Sequence, residues 1–145
     1  MLKNYINDQV VEVNVEVTNW EEAVRLGGKL LEEDGAVEHS YIDAMVDTVK
    51  NMGPYIVIAP GIAMPHARPE AGAKNIRIGL LKLKNPVNFG NEEHDPVDIV
   101  IFLCAVDNKA HIEVLGELVQ LIEDDDFLKI IRNASTKKEI LDYIK

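Results

Sequence analysis

Hydrophobic and polar positions alternate over residues 9–17. Val11, Val13, Val15 and Val17 share one face, and Glu12, Asn14 and Glu16 share the other. A period of two predicts a half-buried strand. The period then changes. Thr18, followed three positions later by Glu21, fits a capping box. Ala23, Val24, Leu26, Leu30 and Leu31 make an apolar stripe of helical spacing that stops near Asp34-Gly35. A second helix, with Ser40 as its cap, carries Tyr41, Ile42, Met45, Val46 and Val49 and ends at Gly53-Pro54. The apolar run Tyr55-Ile56-Val57-Ile58-Ala59 reads as a buried strand. Alternation over residues 76–84 predicts another. Residues 97–106 are apolar except for Asp98, the pattern of a central strand covered on both faces.

Beyond Asp107-Asn108-Lys109-Ala110, helical spacing returns with His111, Leu115, Leu118, Val119 and Ile122. The run Glu123-Asp124-Asp125-Asp126 ends that helix and caps the next, over residues 127–132. Ser135 to Glu139 has cap chemistry again, and a last helix runs through Ile140, Leu141 and Ile144. No repeat, low-complexity tract or linker interrupts the pattern. Helices on both sides of a mixed sheet describe an α/β or α+β sandwich.

A chain of 145 residues is most simply one domain, residues 1–145. With 47% hydrophobic and 28% charged residues, it belongs to the soluble globular class. No run reaches about 18 apolar residues, so no membrane helix is expected. The first eight residues hold no apolar signal region. A single cysteine, Cys104, excludes an internal disulfide and a zinc knuckle. Together these features predict a cytoplasmic protein. The net charge of −10 opposes nucleic-acid binding. It would either steer a cationic protein partner or simply keep the domain soluble.

The candidate chemistry lies in Gly61-Ile62-Ala63-Met64-Pro65-His66-Ala67-Arg68-Pro69-Glu70. Proline lacks an N–H, so Pro65 and Pro69 stop a ladder and stiffen the loop. That loop holds an imidazole and a guanidinium two positions apart. Histidine on a rigid loop at a strand end suits transient chemistry near neutral pH. A second imidazole, His111, opens a helix after the other core strand. Ligands in such folds gather at the C-terminal ends of strands, so both rings are expected on one cleft. Paired imidazoles beside a helix N-terminus suit a phosphoryl group: one nitrogen attacks and carries it, the other donates to its oxygens. The plainer alternative is a capping-turn His111 unrelated to His66.

Gly61-Ile62-Ala63-Met64-Pro65-His66 resembles the phosphorylation-site motif of mannitol/fructose-type enzyme IIA domains of the bacterial phosphotransferase system. Asn108-Lys109-Ala110-His111-Ile112-Glu113-Val114-Leu115 is similar to that family's second histidine segment. The likeness continues through Asp124-Asp125-Asp126-Phe127-Leu128 to the final helix and covers nearly the whole chain. Gly53 to Gly61 and Pro65 to Glu70 look most like the ascorbate-type branch. The resemblance implies a central mixed parallel and antiparallel sheet of about five strands, flanked by helices on both sides. It also implies a phosphohistidine relay. The histidine phosphocarrier protein would phosphorylate His66. His66 would pass the group to a cysteine of a cognate enzyme IIB, which serves a membrane permease, the enzyme IIC component. His111 would orient and neutralise the bound group. No metal or other cofactor is called for. Related domains are regulators instead, using the same phosphorylation as a signal without feeding a permease.

Mannitol-type members carry an arginine on the helix before the loop, near Asp47-Thr48-Val49-Lys50, and this chain has none there. Arg68 or Lys50 must then supply the cation. Arg68 is preferred, because a guanidinium forks around phosphate where an ammonium acts as a point charge. Ile62, Ala63 and Met64 are expected to line the surface on which the partners dock. A metal hydrolase built from His66, His111, His94 and Glu70 lacks the usual ligand spacing. His94 and His39 read as surface residues. Cys104, inside an apolar strand, reads as an inert small hydrophobe rather than a nucleophile.

Overall fold

A computed structural model describes residues 2–144. Five strands form one sheet in the order β1-β4-β5-β3-β2: β1 is Val11–Val15, β2 Val57–Ala59, β3 Ile62–Ala63, β4 Arg77–Val87 and β5 Val97–Cys104. The helices are α1 Trp20–Glu33, α2 His39–Met52, α3 Asn108–Ile122, α4 Asp125–Asn133 and α5 Lys137–Tyr143. The sheet is mixed. β1 runs parallel to β4, β4 antiparallel to β5, β3 parallel to β5, and β2 antiparallel to β3. As its run of apolar residues, broken only by Asp98, predicts, β5 is the central strand, and Ile99, Val100, Phe102, Leu103 and Cys104 are fully buried.

Side chains on β5 point alternately to the two faces. Phe102 meets α1 at Gly27, whereas Ile101 lies with Leu118 of α3, Phe127 of α4 and Ile144 just beyond α5. Helices therefore cover both faces, with α1 and α2 on one and α3, α4 and α5 on the other. The approach of α1 depends on glycine. A Cβ on Gly27 would sit 2.0 Å from the Phe102 ring, and one on Gly28 would sit 2.8 Å from Ile42. Alanine is the better helix former by about 1 kcal/mol, but here it collides with a ring that has no room to retreat. Gly27→Ala is expected to destabilise the fold by about 1–3 kcal/mol, the usual cost of overpacking. Urea unfolding measures this; an unchanged midpoint would mean that Phe102 can shift.

Several local expectations need correction. The first helix is capped by Asn19, whose side chain accepts from the Glu22 N–H, rather than by Thr18. Thr18 instead donates its hydroxyl to the Glu22 carboxylate, so the capping chemistry is shifted by one residue. Ser40 does not cap α2, which starts two residues earlier with Glu38 in the cap position. Its hydroxyl reaches across to the Ala71 carbonyl. The first strand is shorter than its alternation suggests. Asp8–Val10 is a 3-10 turn, and Asn14, at φ 53°, breaks the register between Glu12 and Val15.

The largest difference concerns residues 55–59. Gly53–Ile56 forms a 3-10 turn, leaving only Val57–Ala59 as strand, and that strand lies at the sheet edge. Tyr55 is 79% exposed and Ile58 39%. The chain reverses at Pro60-Gly61, where Gly61 takes φ 76°, and returns as β3, a two-residue strand paired with β5. Proline without an N–H followed by glycine at positive φ favours such a reversal. The strand that delivers the histidine loop is therefore β3.

Candidate functional site

β3 and β5 pair in parallel, Ile62 opposite Ile99 and Ala63 opposite Val100, so both leave the sheet at the same edge. From β3 the chain continues through Met64 and Pro65 to His66. From β5 it continues through Ala105, Val106 and Asp107 into α3. The two imidazoles meet there, with ring centroids 5.6 Å apart and planes inclined at 54°. The predicted pairing of His66 with His111 is thus present, and the isolated capping-turn alternative does not hold.

Hydrogen bonds fix the loop on both sides of His66. The Met64 N–H donates to the Ile56 carbonyl at 2.9 Å, and His66 Nδ1 lies 2.9 Å from the Met64 carbonyl. A carbonyl can only accept, so in the neutral ring Nδ1 carries the proton and Nε2 the lone pair. The Ala67 N–H donates to the Tyr41 hydroxyl at 3.1 Å, and that hydroxyl lies 2.9 Å from the Leu103 carbonyl. Further on, the Glu38 N–H donates to the Gly72 carbonyl. The start of α2 therefore grips the exit of the loop.

His66, Ala67, Arg68, Pro69, Thr48, Met52, Asn108 and His111 line a cleft of about 350 Å³. Arg68 is exposed, and its guanidinium makes no hydrogen bond or ion pair with any described residue, so its donor fork is available. Thr48 and Met52 enter from the last turns of α2. The Thr48 hydroxyl donates back to the Ala44 carbonyl at 2.8 Å. At the start of α3, Asp107 caps through its carboxylate, which accepts from the Ala110 N–H. The N–H groups of Asn108 and Lys109, in the first turn, have no carbonyl behind them, and the positive end of the helix dipole lies at the cleft. Partial burial, and then the neighbouring His66 ring, lower the pKa of His111 from its ordinary value. The shift favours the neutral ring, which keeps one N–H to donate.

Other predicted site residues lie elsewhere. Lys50 points away, 3.7 Å from Glu21 on α1, and does not line the cleft. Ile62, Ala63 and Met64 do not form a docking surface. The first two are fully buried and Met64 nearly so, because β3 is an inner strand with side chains packed on both faces. Apolar side chains exposed near the cleft are instead Met52 on its wall, and Val106 and Ile112 on either side of the α3 start. His94 is half-buried rather than exposed. Its carbonyl accepts from the Gly61 N–H before β3, at the opposite edge of the sheet from His66. Cys104 is fully buried and its thiol is pushed up to about 12 by desolvation. Among the described residues, no three His, Cys, Asp or Glu side chains converge as metal ligands, and no helix is long and apolar enough to cross a membrane.

Sequence reading passed over Tyr41, Thr48, Met52 and Asn108. Tyr41, Met45, Thr48 and Met52 follow a 4-3-4 spacing and so share one helix face, but the sequence does not tell that this face meets the histidine loop.

The family model described as phosphoenolpyruvate-dependent sugar phosphotransferase system, EIIA 2, matches residues 4–145. The ascorbate-specific PTS system EIIA component of Escherichia coli (strain K12) is 43% identical over 135 residues, which are 92% of this chain and 88% of that protein. The solution structure of the mannitol-specific cryptic phosphotransferase enzyme IIA CmtB from Escherichia coli superposes with a TM-score of 0.88 at 34% identity, covering 97% of this chain and 95% of that one. The enzyme IIA of the Escherichia coli mannitol system, solved in complex with phosphorylated enzyme IIB, superposes with a TM-score of 0.83 at 27% identity, covering 94% of each chain.

Proposed function

The chain belongs to the EIIA 2 family of the phosphoenolpyruvate-dependent sugar phosphotransferase system, and on that footing we propose that His66 Nε2 is the atom that carries its phosphoryl group. The protein is a phosphocarrier in sugar uptake, a phosphotransferase component that works between the histidine phosphocarrier protein and enzyme IIB, upstream of the permease. Its substrate pathway is that of ascorbate or a related sugar acid, by its likeness to the ascorbate-specific component. It acts as one domain over residues 1–145, in the cytoplasm.

One observation carries the assignment to His66. Its Nδ1 is occupied by the Met64 carbonyl, which leaves Nε2 as the nucleophile, 5.6 Å between ring centroids from a second imidazole. In the first step the Nε2 lone pair attacks the phosphorus of the donor phosphohistidine. The P–N bond of the donor breaks, and its electron pair returns to the donor ring. In the second step the enzyme IIB thiolate attacks the same phosphorus in line, and the pair in the P–Nε2 bond returns to His66. Transfer of this kind needs alignment and charge stabilisation more than covalent machinery. His111 donates one N–H to the phosphoryl oxygens, the first-turn N–H groups of α3 add their field, and Arg68 supplies the fork. Met52, Val106 and Ile112 form the apolar surface on which the two partners dock in turn.

The direct test is phosphopeptide mapping after reaction with phosphorylated carrier, followed by addition of enzyme IIB. Label on His66 that moves to the IIB cysteine is the expected result. Label that reaches His66 and goes no further would identify a regulator instead. Arg68→Ala is expected to slow acceptance by about 10²–10³-fold, the usual loss when an aligned donor is removed, and Arg68→Lys should recover only part of that. Lys50→Ala should stay within about twofold of wild type, as a distant surface change does. The reverse order of these two effects would move the phosphoryl cation to α2. Ile112→Asp should raise the KM for the carrier about tenfold or more, since central apolar contacts dominate such interfaces, and leave hydrolysis of preformed phosphohistidine unchanged. An unaltered KM would remove Ile112 from the docking surface.

A further inference from the structure

Tyr41 lies on the first turn of α2, is fully buried, and ends between the two chain segments that carry the histidines. Its hydroxyl accepts from the Ala67 N–H at 3.1 Å. The hydroxyl proton is within reach of the Leu103 carbonyl at 2.9 Å and the Ala67 carbonyl at 3.1 Å. Ala67 is the peptide between His66 and Arg68. Leu103 is in the last turn of pairing of β5, four residues before the cap of α3 and eight before His111. Ladder bonds between β3 and β5 end at Ala63 and Val100, so past that point the two segments are no longer tied by sheet pairing. The Tyr41 hydroxyl is the polar group that bridges them there. Burial raises the phenol far above its ordinary pKa, so it stays a neutral donor and acceptor at any working pH.

We propose that the Tyr41 hydroxyl is a positioning group for phosphoryl transfer, setting the separation of His66 from His111 by pinning the Ala67 peptide to the end of β5. The inference rests on His66 as the phosphoryl acceptor. Tyr41 never touches the phosphorus. It acts on the span across which one imidazole attacks and the other donates, and a misplacement of about 1 Å there is enough to cost as much as a hundredfold in rate.

Tyr41→Phe removes the hydroxyl and keeps the ring that fills the core. Quenched-flow transfer of label from the charged full chain to enzyme IIB should show the maximal rate falling by about ten- to a hundredfold, with the KM for enzyme IIB within about twofold of wild type. In a His111→Ala background the same change should cost less than about threefold, because coupled residues do not add. A general loosening of the fold would lower the labelled fraction rather than the rate, and would act equally in both backgrounds. Full rate in Tyr41→Phe, or an undiminished effect in His111→Ala, overturns the proposal. Should the variant fail to fold, hydrogen exchange on the wild-type chain decides: the Ala67 amide must be protected to the level of β5, and exchange at the rate of an open loop overturns the proposal equally. His66→Ala separates the two levels. If it still takes up a full equivalent of label, the acceptor assignment fails; if it is inert while Tyr41→Phe is fully active, only the role of Tyr41 fails.

Discussion

Replacing His66 by alanine is expected to leave no measurable phosphoryl acceptance. No other group in the cleft can take over. His111 is the nearest imidazole, at the fourth position of α3, but on the proposed reading it donates toward the phosphoryl oxygens rather than meeting the donor in line. Cys104 is buried as a neutral thiol, and a thiol without its thiolate is a poor nucleophile. His94 lies at the other edge of the sheet. The Arg68 guanidinium offers only N–H donors and no lone pair with which to attack. The fold should tolerate the loss, because His66 is only half-buried and its one side-chain bond is to the Met64 carbonyl. The measurement is label incorporated per mole of chain after long incubation with phosphorylated carrier. A full equivalent in His66→Ala would falsify the assignment, and mapping would then show which nitrogen took its place.

Replacing His111 by alanine is expected to slow transfer to enzyme IIB by about 10²–10³-fold, the usual cost of removing one preorganised donor from a developing charge. Acceptance from the carrier should survive, since the nucleophile and the Arg68 fork remain. The physical basis is the state of the His111 ring. Burial, and then the facing His66 ring, lower its pKa from the ordinary value. On the proposed reading, an anionic phosphoryl group on His66 would oppose that shift by favouring the charged form of the neighbouring ring. The stabilisation therefore grows as charge arrives. His111→Gln retains a donor without the titration and should fall between alanine and wild type. Rapid quench with excess enzyme IIB reads each rate; equal rates for all three proteins would mean that His111 contributes nothing to the step.

Much of this arrangement is visible in the chain itself, for identifiable reasons. β5 is legible because a strand covered on both faces must be apolar at consecutive positions, and only Asp98 interrupts it. The two histidine segments are legible because proline and cap residues place each beside the end of a core strand. The histidine-delivering strand is harder to read. Tyr55-Ile56-Val57-Ile58-Ala59 has the composition of a strand, but Gly53, Pro60 and Gly61 cut it into a 3-10 turn and half of a hairpin. Composition cannot reveal that the two residues Ile62 and Ala63, rather than the five before them, pair with β5. That single displacement explains why Ile62, Ala63 and Met64 look like a loop available to partners, when they are interior. Lys50 and Thr48 differ by two positions, about 200° around a helix at 3.6 residues per turn. Without the facing of α2 on the loop, nothing indicates which of them reaches the cleft. Tyr41 is invisible for a similar reason, because its role arises from two carbonyls and an amide that no side-chain pattern records.

The seclusion of Cys104 bears on how the relay fails under oxidative stress. Each turnover brings the recipient's reactive sulfur into bonding range of this protein. A second accessible sulfur here would invite a mixed disulfide and lock donor and recipient together. With its only thiol walled inside β5, the chain offers no such trap, and thiol-directed reagents should silence the recipient while leaving this carrier chargeable.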